Sequence, residues 1–364
     1  MYDSTVKFSR PPAQCKVIVG TQAVQRLQDI VNELYCSAAF IITDKNVYRH
    51  YELYLKRLTR SMSCPANIYI LPAGERTKSY SYQIKIHNWL LEQGADRESV
   101  IIGIGGGVIC DISGFAAATF MRGVSHILVP TTLLAQVDAA IGGKNGINLP
   151  SAKNIIGTVK HPLAIIADPD FLNTLRSRHF KEGLSELVKI ALVKSKSLGT
   201  LLDRFLSVKM KGNNELLLRI IEQGIKLKLD VVKHDPYEKG PRRILNFGHT
   251  TGHALEALGN YRAMPHGKAV ALGMLVALRL SEKLCSLDPE TAKWGESRIH
   301  KLYRLFPVAG ISTDDVWRVI RSDKKRKGHK VQFVLLESYA KPVIHTVTAK
   351  EFRNAFSEAA GIVR

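Results

Sequence analysis

Short runs of aliphatic and β-branched residues recur along the first half of the chain, at Lys16–Val19, Ala39–Thr43, Asn67–Leu71, Val100–Ile104, Ile127–Val129 and Ala164–Ala167. Helix-length segments of mixed polarity separate most of them, among them Thr21–Tyr35, Val47–Thr59 and Tyr80–Gln93. This alternation predicts βαβ units around a mostly parallel sheet. In such sheets ligands sit at the carboxyl ends of the strands. From about Leu175 the rhythm changes to long helical periodicity: Ser177–Val208, Asn214–His234, His249–Leu258, Gly267–Cys285, Thr291–Leu305 and Ser312–Arg321. A hairpin is expected at Val331–Leu336 with Val343–Val347. The pattern predicts an α/β domain over residues 1–174 and a mainly helical domain over 175–364. No Gly/Ser-rich linker marks the boundary, so the two are expected to share a cleft.

Composition narrows the class. A chain of 364 residues, 45% hydrophobic and 23% charged, is an ordinary globular chain long enough for two cores. The longest apolar run, Ala269–Leu278, is too short to cross a bilayer. The opening MYDSTVKFSRPP has no apolar signal core, so a cytoplasmic protein is expected. Five scattered cysteines without a CxxC pair predict reduced thiols and argue against a cysteine-bound metal. A net charge of +20 allows either a nucleic acid or an anionic small substrate as partner. The basic residues are spread out, however, and the densest run, Asp323–Lys330, reads as a solvated turn. No recognition-helix, zinc-finger or aromatic RNA-binding pattern accompanies it, so no nucleic-acid or membrane partner is expected.

The sharpest local signal in the first half is a strand that runs into Gly105, Gly106 and Gly107 and then an apolar helix. Glycines there let backbone N–H groups approach a phosphate at a helix start. The run does not fit GxGxxG, because Val108 stands at the sixth position from Gly103. Asp44 follows another strand, placed either to accept ribose hydroxyls or simply to cap a helix, the commoner role. Thr131 and Thr132 add hydroxyls at the same sheet edge. Gly74–Lys78 follows a strand too and reads equally as a plain polar turn. Asp138–Lys144 and Lys153–Asn154 look like cationic, glycine-rich loops suited to an anionic polyol.

The second half carries the candidate metal ligands. His249 and His253 are four apart and share a helix face, and His266 returns after a loop. Buried, satisfied core histidines are one reading. Two histidines and a carboxylate around a divalent ion with an open position are the other. Glu186 offers the carboxylate, with Lys189 three residues on. That pair is either a surface ion pair worth about 0.2–0.5 kcal/mol or, given Leu184, Leu187, Val188 and Ile190 around it, a pair at a buried cleft edge. Arg242 and Asn246 lead directly into His249.

In order, GERTK (74–78), GGGVICDISGF (105–115), Arg122-Gly123, PTTLLAQVDAAIGGK (130–144), Lys153-Asn154, GLSELVK (183–189), Arg242, LNFGHTTGHALE (245–256) and His266-Gly267 resemble the 3-dehydroquinate synthases, collinearly from about Asp44 to Lys325. The resemblance implies a Rossmann-like N-terminal domain and an all-helical C-terminal domain with the active site between them. It implies conversion of 3-deoxy-D-arabino-heptulosonate 7-phosphate, a phosphorylated seven-carbon sugar acid, to 3-dehydroquinate and phosphate in the shikimate pathway. It also implies bound NAD, a zinc or cobalt ion and a homodimer. The implied chemistry is transient oxidation at C5, β-elimination of phosphate, re-reduction, ring opening and intramolecular aldol closure, with no net redox change.

Carried over residue by residue, the resemblance puts Glu186, His249 and His266 on the metal. It puts Asp44, Asn46, Glu75, Lys78, Gly106, Gly107, Asp111, Thr131, Thr132, Lys153, Phe171 and Thr174 on NAD. Arg122, Asp138, Lys144, Asn154, Lys189, Lys228, Arg242, Asn246, His253 and Lys325 fall on the substrate, Arg122 reaching across a dimer interface. Asp138, Lys144, Lys189, Arg242, Asn246 and His253 form the implied catalytic set. The chain departs from the family pattern at Ala139 and Ala140, where serines are common, at Ser185, where alanine is common, and at Leu175–His179. Another sugar-phosphate cyclase, or a metal-dependent polyol dehydrogenase on the same scaffold, is the alternative.

Overall fold

The structure, a computed structural model, describes residues 14–150, 152–207, 214–259, 264–303, 311–322, 326–327 and 330–361. Six strands form the N-terminal sheet: β1 (Lys16–Val19), β2 (Ala39–Asp44), β3 (Ala66–Leu71), β4 (Val100–Gly105), β5 (Ser125–Pro130) and β8 (Ala164–Ala167). Their spatial order is β1-β8-β5-β4-β2-β3 and every pairing is parallel. Helices α1 (Arg26–Glu33), α2 (Lys45–Ser61), α3 (Tyr80–Glu92) and α4 (Gly107–Thr119) make the crossovers. Alternate residues of one strand feed opposite cores. Ile41, Ile102 and Ile127 pack with Leu27, Ile30 and Leu55, while Phe40, Ile42 and Ile101 pack with Ile86, Leu90 and Ile112. Strands buried on both faces are apolar throughout, which is why they stand out in the sequence.

Between β5 and β8 the chain forms an antiparallel hairpin, β6 (Lys144–Leu149) with β7 (Ala152–Val159). This corrects the loop-like reading of that region. Lys144 opens β6, Lys153 and Asn154 lie in β7, and Asp138 sits in a wide helical turn, Ala135–Ala139, with π-type spacing. Glycine, lysine and asparagine are poor strand formers, so the hairpin depends on tertiary contact with α4 rather than on local preference.

The second half contains α5 (Ser177–Lys194), α6 (Lys196–Ser207), α7 (Asn214–His234), α8 (His249–Leu258), α9 (His266–Cys285), α10 (Pro289–Leu302), α11 (Thr313–Ser322) and α12 (Ala349–Gly361). The single helix expected over Ser177–Val208 is two. Ser195 turns extended between them, and its hydroxyl accepts from Leu198 N at 3.2 Å. Nor is this half all-helical: β9 (Arg326–Lys327), β10 (Lys330–Ser338) and β11 (Lys341–Val347) form an antiparallel sheet. Helix α9 is the hub. Its run Ala269–Leu278 is buried all round, packed by α5, α8, α10, α12 and β10. The largest apolar core is continuous across position 175, taking in Leu128, Ile165, Leu133, Leu187 and the α9 residues. No helix among the described residues is long and apolar enough to cross a membrane. Two of the cysteines scattered in sequence do meet: the Cys36 and Cys64 sulfurs lie 3.3 Å apart, both as thiols.

Candidate active site

Three helices bring the candidate ligand side chains together. Helix α8 opens at Gly248, whose φ of 79° suits glycine. A Cβ there would fall 2.6 Å from Met274 Cγ and 3.0 Å from Val270 O on α9. One turn on, a Cβ at Gly252 would fall 3.1 Å from Val270 Cα. The glycines of GHTTGHA therefore let α8 and α9 cross at backbone contact. That crossing points His249, from the first turn of α8, and His266, from the first turn of α9, at one spot on α5. Glu186 lies there, fully buried. His249 Nε2 and His266 Nε2 are each 3.6 Å from Glu186 Oε1. All three ligating atoms lie within 4.8 Å of one another.

The partners of these residues leave the same atoms pointing inward. Lys189, 2% exposed, donates to Glu186 Oε2, so Oε1 is buried with no partner of its own. His249 Nδ1 faces Phe247 O at 3.3 Å, and His266 Nδ1 faces Glu256 Oε2 at 3.3 Å. With Nδ1 so engaged, each ring turns its Nε2 inward, toward Glu186 Oε1. An orphaned buried carboxylate oxygen facing two such nitrogens is the donor set a divalent cation takes, with one carboxylate, two imidazoles and room for more.

The electrostatics agree with that reading. Burial opposes ionisation of Glu186, yet Lys189, with His266, holds its carboxyl well below the usual range. Burial and the Lys189 charge push His249 well below the ordinary histidine value, keeping it neutral. Burial works against a charged His266 too, but Glu186 and Glu256 outweigh it and raise the group to about 10. Between two carboxylates and without a cation, a proton on His266 supplies the missing positive charge. A metal ion competes for that position. His253 is exposed, its ring centroid 5.3 Å from that of His249 and 6.5 Å from that of His266.

The carboxyl ends of the strands line the other side. Gly106 precedes α4 at the end of β4, and a Cβ there would stand 3.1 Å from Thr132 Cγ2, so the glycine turn lies against the segment after β5. Thr131 N donates to Gly105 O at 2.9 Å. Asp44 Oδ1 accepts from Asn46 N at 2.8 Å and Val47 N at 3.2 Å, which makes it the cap of α2. Lys78 bridges Asp111 and Asn154, and Asn148 of β6 bonds Glu75 Oε1 at 2.8 Å. Burial raises the Asp111 carboxyl, and Lys78 opposes that shift. Phe171 packs edge-on against Tyr51 at 4.8 Å, and the Thr174 and Tyr51 hydroxyls are 3.1 Å apart.

A third group is cationic. Lys228, on α7 and 5% exposed, donates to Asp138 O at 2.6 Å and also to its carboxylate. Burial lowers its pKa, and Asp138 partly restores it. Arg242 Nη1 donates to Gly142 O at 3.1 Å and Pro236 O at 2.6 Å. Lys144 and Asn246 meet on Glu238, a residue with φ of 57° that the sequence did not mark. Glu256 is the second residue missed: Oε1 accepts from Lys153 Nζ at 3.2 Å, and Oε2 faces His266. Its sequence signals are the i,i+3 spacing from His253 and its place at the end of the run LNFGHTTGHALE. Arg122 is not brought to this site within the chain. It is exposed in the turn entering β5, at the opposite end of the sheet from the glycine run. Lys325 and most of the basic run 323–330 lie outside the described residues.

Ser185 fills its departure from the family pattern with a partner. Its hydroxyl bonds Lys181 O and the Tyr303 hydroxyl, both at 3.1 Å.

Comparison with known proteins places this site in a family context. The 3-dehydroquinate synthase N-terminal model matches residues 68–182, and the C-terminal model matches 183–326. A 3-dehydroquinate synthase of Salinibacter ruber is 38% identical over 332 residues, covering 90% of this chain and 89% of its own. The structure of 2-epi-5-epi-valiolone synthase from Streptomyces hygroscopicus, with NAD+ and Zn2+ bound, superposes with a TM-score of 0.88 at 25% identity, covering 99% of both chains. A 2-deoxy-scyllo-inosose synthase complexed with carbaglucose-6-phosphate, NAD+ and Co2+ superposes at 0.82 with 24% identity, covering 94% of this chain and 96% of its own.

Proposed function

The chain belongs to the 3-dehydroquinate synthase family, and on that premise we propose that it converts 3-deoxy-D-arabino-heptulosonate 7-phosphate to 3-dehydroquinate and phosphate, using NAD and one zinc or cobalt ion. The observation that carries the proposal is Glu186 Oε1, buried without a partner and faced at 3.6 Å by the Nε2 atoms of two histidines whose Nδ1 atoms face Phe247 O and Glu256 Oε2.

In this reading Glu186, His249 and His266 hold the cation. When bound, the cation lends Lewis acidity to coordinated substrate hydroxyls, and NAD offers a reversible hydride acceptor. The chain's own residues do the positioning. Lys189 keeps the Glu186 carboxylate ionised and turned. The hydroxyls and amides after β4 and β5, with Asp44, Asn46, Glu75, Lys78, Asp111, Lys153, Phe171 and Thr174, line the dinucleotide side. Asp138, Lys228, Arg242, Lys144, Asn154 and Asn246 take the anionic substrate, with Lys325 as a further contact. His253, exposed beside His249, moves protons between substrate and solvent. Domains over 1–174 and 175–364 meet at this site. The outward position of Arg122 supports a homodimer in which it serves the neighbouring copy. The overall reaction is a carbon–oxygen lyase reaction, and five free cysteines suit a cytoplasmic setting.

The neighbours at 24–25% identity form other carbocycles, which keeps a sister cyclase as the second reading. The 38% identity to a 3-dehydroquinate synthase favours the first. Phosphate release from the heptulosonate phosphate, with and without a chelator and with metal restored, tests both. The synthase reading expects release without net NADH, lost on chelation and regained with metal. No release from the NAD- and metal-loaded protein overturns it, and stoichiometric NADH accumulation identifies a dehydrogenase.

A further inference from the structure

Glu256 lies near the end of α8 and is 3% exposed. Its two carboxylate oxygens face opposite sides of the site. Oε2 is 3.3 Å from Nδ1 of His266, the imidazole whose other nitrogen faces Glu186. Oε1 is 3.2 Å from Nζ of Lys153. Lys153 belongs to the β6–β7 hairpin, and the next residue, Asn154, holds Lys78. The other strand of that hairpin carries Asn148, which bonds Glu75. One buried, planar carboxylate therefore connects a cation ligand to the hairpin that anchors the polar residues beyond β3.

We propose that Glu256 is a positioning residue that couples the cation site to the dinucleotide side. It aims His266 Nε2 at the cation and passes any displacement of Lys153 on to that nitrogen. The inference rests on the cation and NAD reading above. Partners of ligating histidines of this kind typically change metal affinity about 10–100-fold when removed. Because coupling between two binding equilibria is reciprocal, NAD tightens the cation and the cation tightens NAD by the same factor.

The variants Glu256→Gln and Lys153→Met test this without turnover. Glutamine keeps the shape but loses the charge and one acceptor. Zinc affinity is read by competition with a chromophoric chelator, with and without saturating NAD, and folding is checked by circular dichroism. The wild-type protein is expected to bind zinc at least about fivefold more tightly with NAD present. In Glu256→Gln, zinc affinity should drop about 10–100-fold, and the NAD effect should fall to nearly onefold. Lys153→Met should also lose the NAD effect but keep NAD-free zinc affinity within about threefold. If Glu256→Gln does not fold, Lys153→Met carries the test alone. Unchanged zinc affinity in Glu256→Gln, or an NAD effect that survives in Lys153→Met, overturns the inference. A wild-type protein that releases phosphate but shows no NAD effect on zinc overturns it while sparing the proposed reaction. One that binds no zinc or cobalt overturns both.

Discussion

Glu186 and Lys189 divide one carboxylate between two tasks. Lys189, one turn along α5, takes Oε2, and Oε1 is left buried, unbonded and aimed at His249 and His266. The pair is fully desolvated, and breaking such a pair by removing one partner typically costs about 3–5 kcal/mol. Glu186→Gln is therefore expected to lose bound metal and phosphate release together and to lower the thermal midpoint, with the helical spectrum retained. The double variant Glu186→Gln/Lys189→Met should regain stability but neither metal nor turnover. Metal analysis, calorimetry and phosphate release separate these effects. Normal phosphate release by Glu186→Gln would remove it from the ligand set.

The glycine turn after β4 makes two different demands. A Cβ on Gly105 would lie 2.6 Å from Ile109 Cβ, inside α4. Ile109 is buried and β-branched, so it yields little. Gly105→Ala is expected to cost about 1–3 kcal/mol, visible as a lower denaturant midpoint. A Cβ on Gly106 meets the Thr132 side chain alone, its methyl at 3.1 Å and its hydroxyl at 3.6 Å. Gly106→Ala should leave the midpoint nearly unchanged and weaken NAD binding in a fluorescence titration. Equal losses of stability in the two variants would contradict this division.

His126 sets an acid limb on stability. It is 1% exposed on β5, and neither ring nitrogen has a partner. Burial, followed by the nearby Lys160 and His161 charges, lowers it to about 3. The unfolded chain takes up a proton there near the ordinary value of about 6.5, while the folded protein does not until far lower pH. The stability from this site is thus complete above about pH 6.5 and is lost progressively as pH falls toward 3. His126→Phe is expected to raise the thermal midpoint, and to raise it more at pH 5 than at pH 7.5. A gain independent of pH would mean that His126 does not titrate on unfolding.

The parts of the fold legible in the sequence are those where one physical signal dominates. The bounds of β1 and β8 match the runs that mark them; β8 is buried at every position and has no polar interruption, and β1 is an edge strand of three aliphatic residues after Lys16. Helices α7 and α8 match their periodicity because their buried residues recur at helical spacing along one face. The trio Glu186, His249 and His266 is brought together as the resemblance implied. What escaped is what only tertiary contact decides. The β6–β7 hairpin reads as loop because its residues are weak strand formers. The break at Ser195 is hidden by helical spacing on both sides of it. Asp44 performs the capping role that was always the commoner one, whatever else it binds. Glu238 sits in a loop, and its partners Lys144 and Asn246 are 94 and 8 residues away. Glu256 looks like any acid on a helix until the position of Lys153 is known.

The bond between Ser185 and Tyr303 has a consequence beyond stability. Ser185→Ala alone is expected to strand the half-buried Tyr303 hydroxyl beside the backbone of Glu182 and Gly267, costing about 1 kcal/mol, measurable by denaturant titration, whereas Ser185→Ala/Tyr303→Phe should recover most of it. The two positions then behave as one heritable unit. Lineages carrying alanine before the glutamate at position 186 should be free to lose the phenol, and those that acquired the serine should have kept it, so the pair would leave a correlated trace in the ancestry of these enzymes.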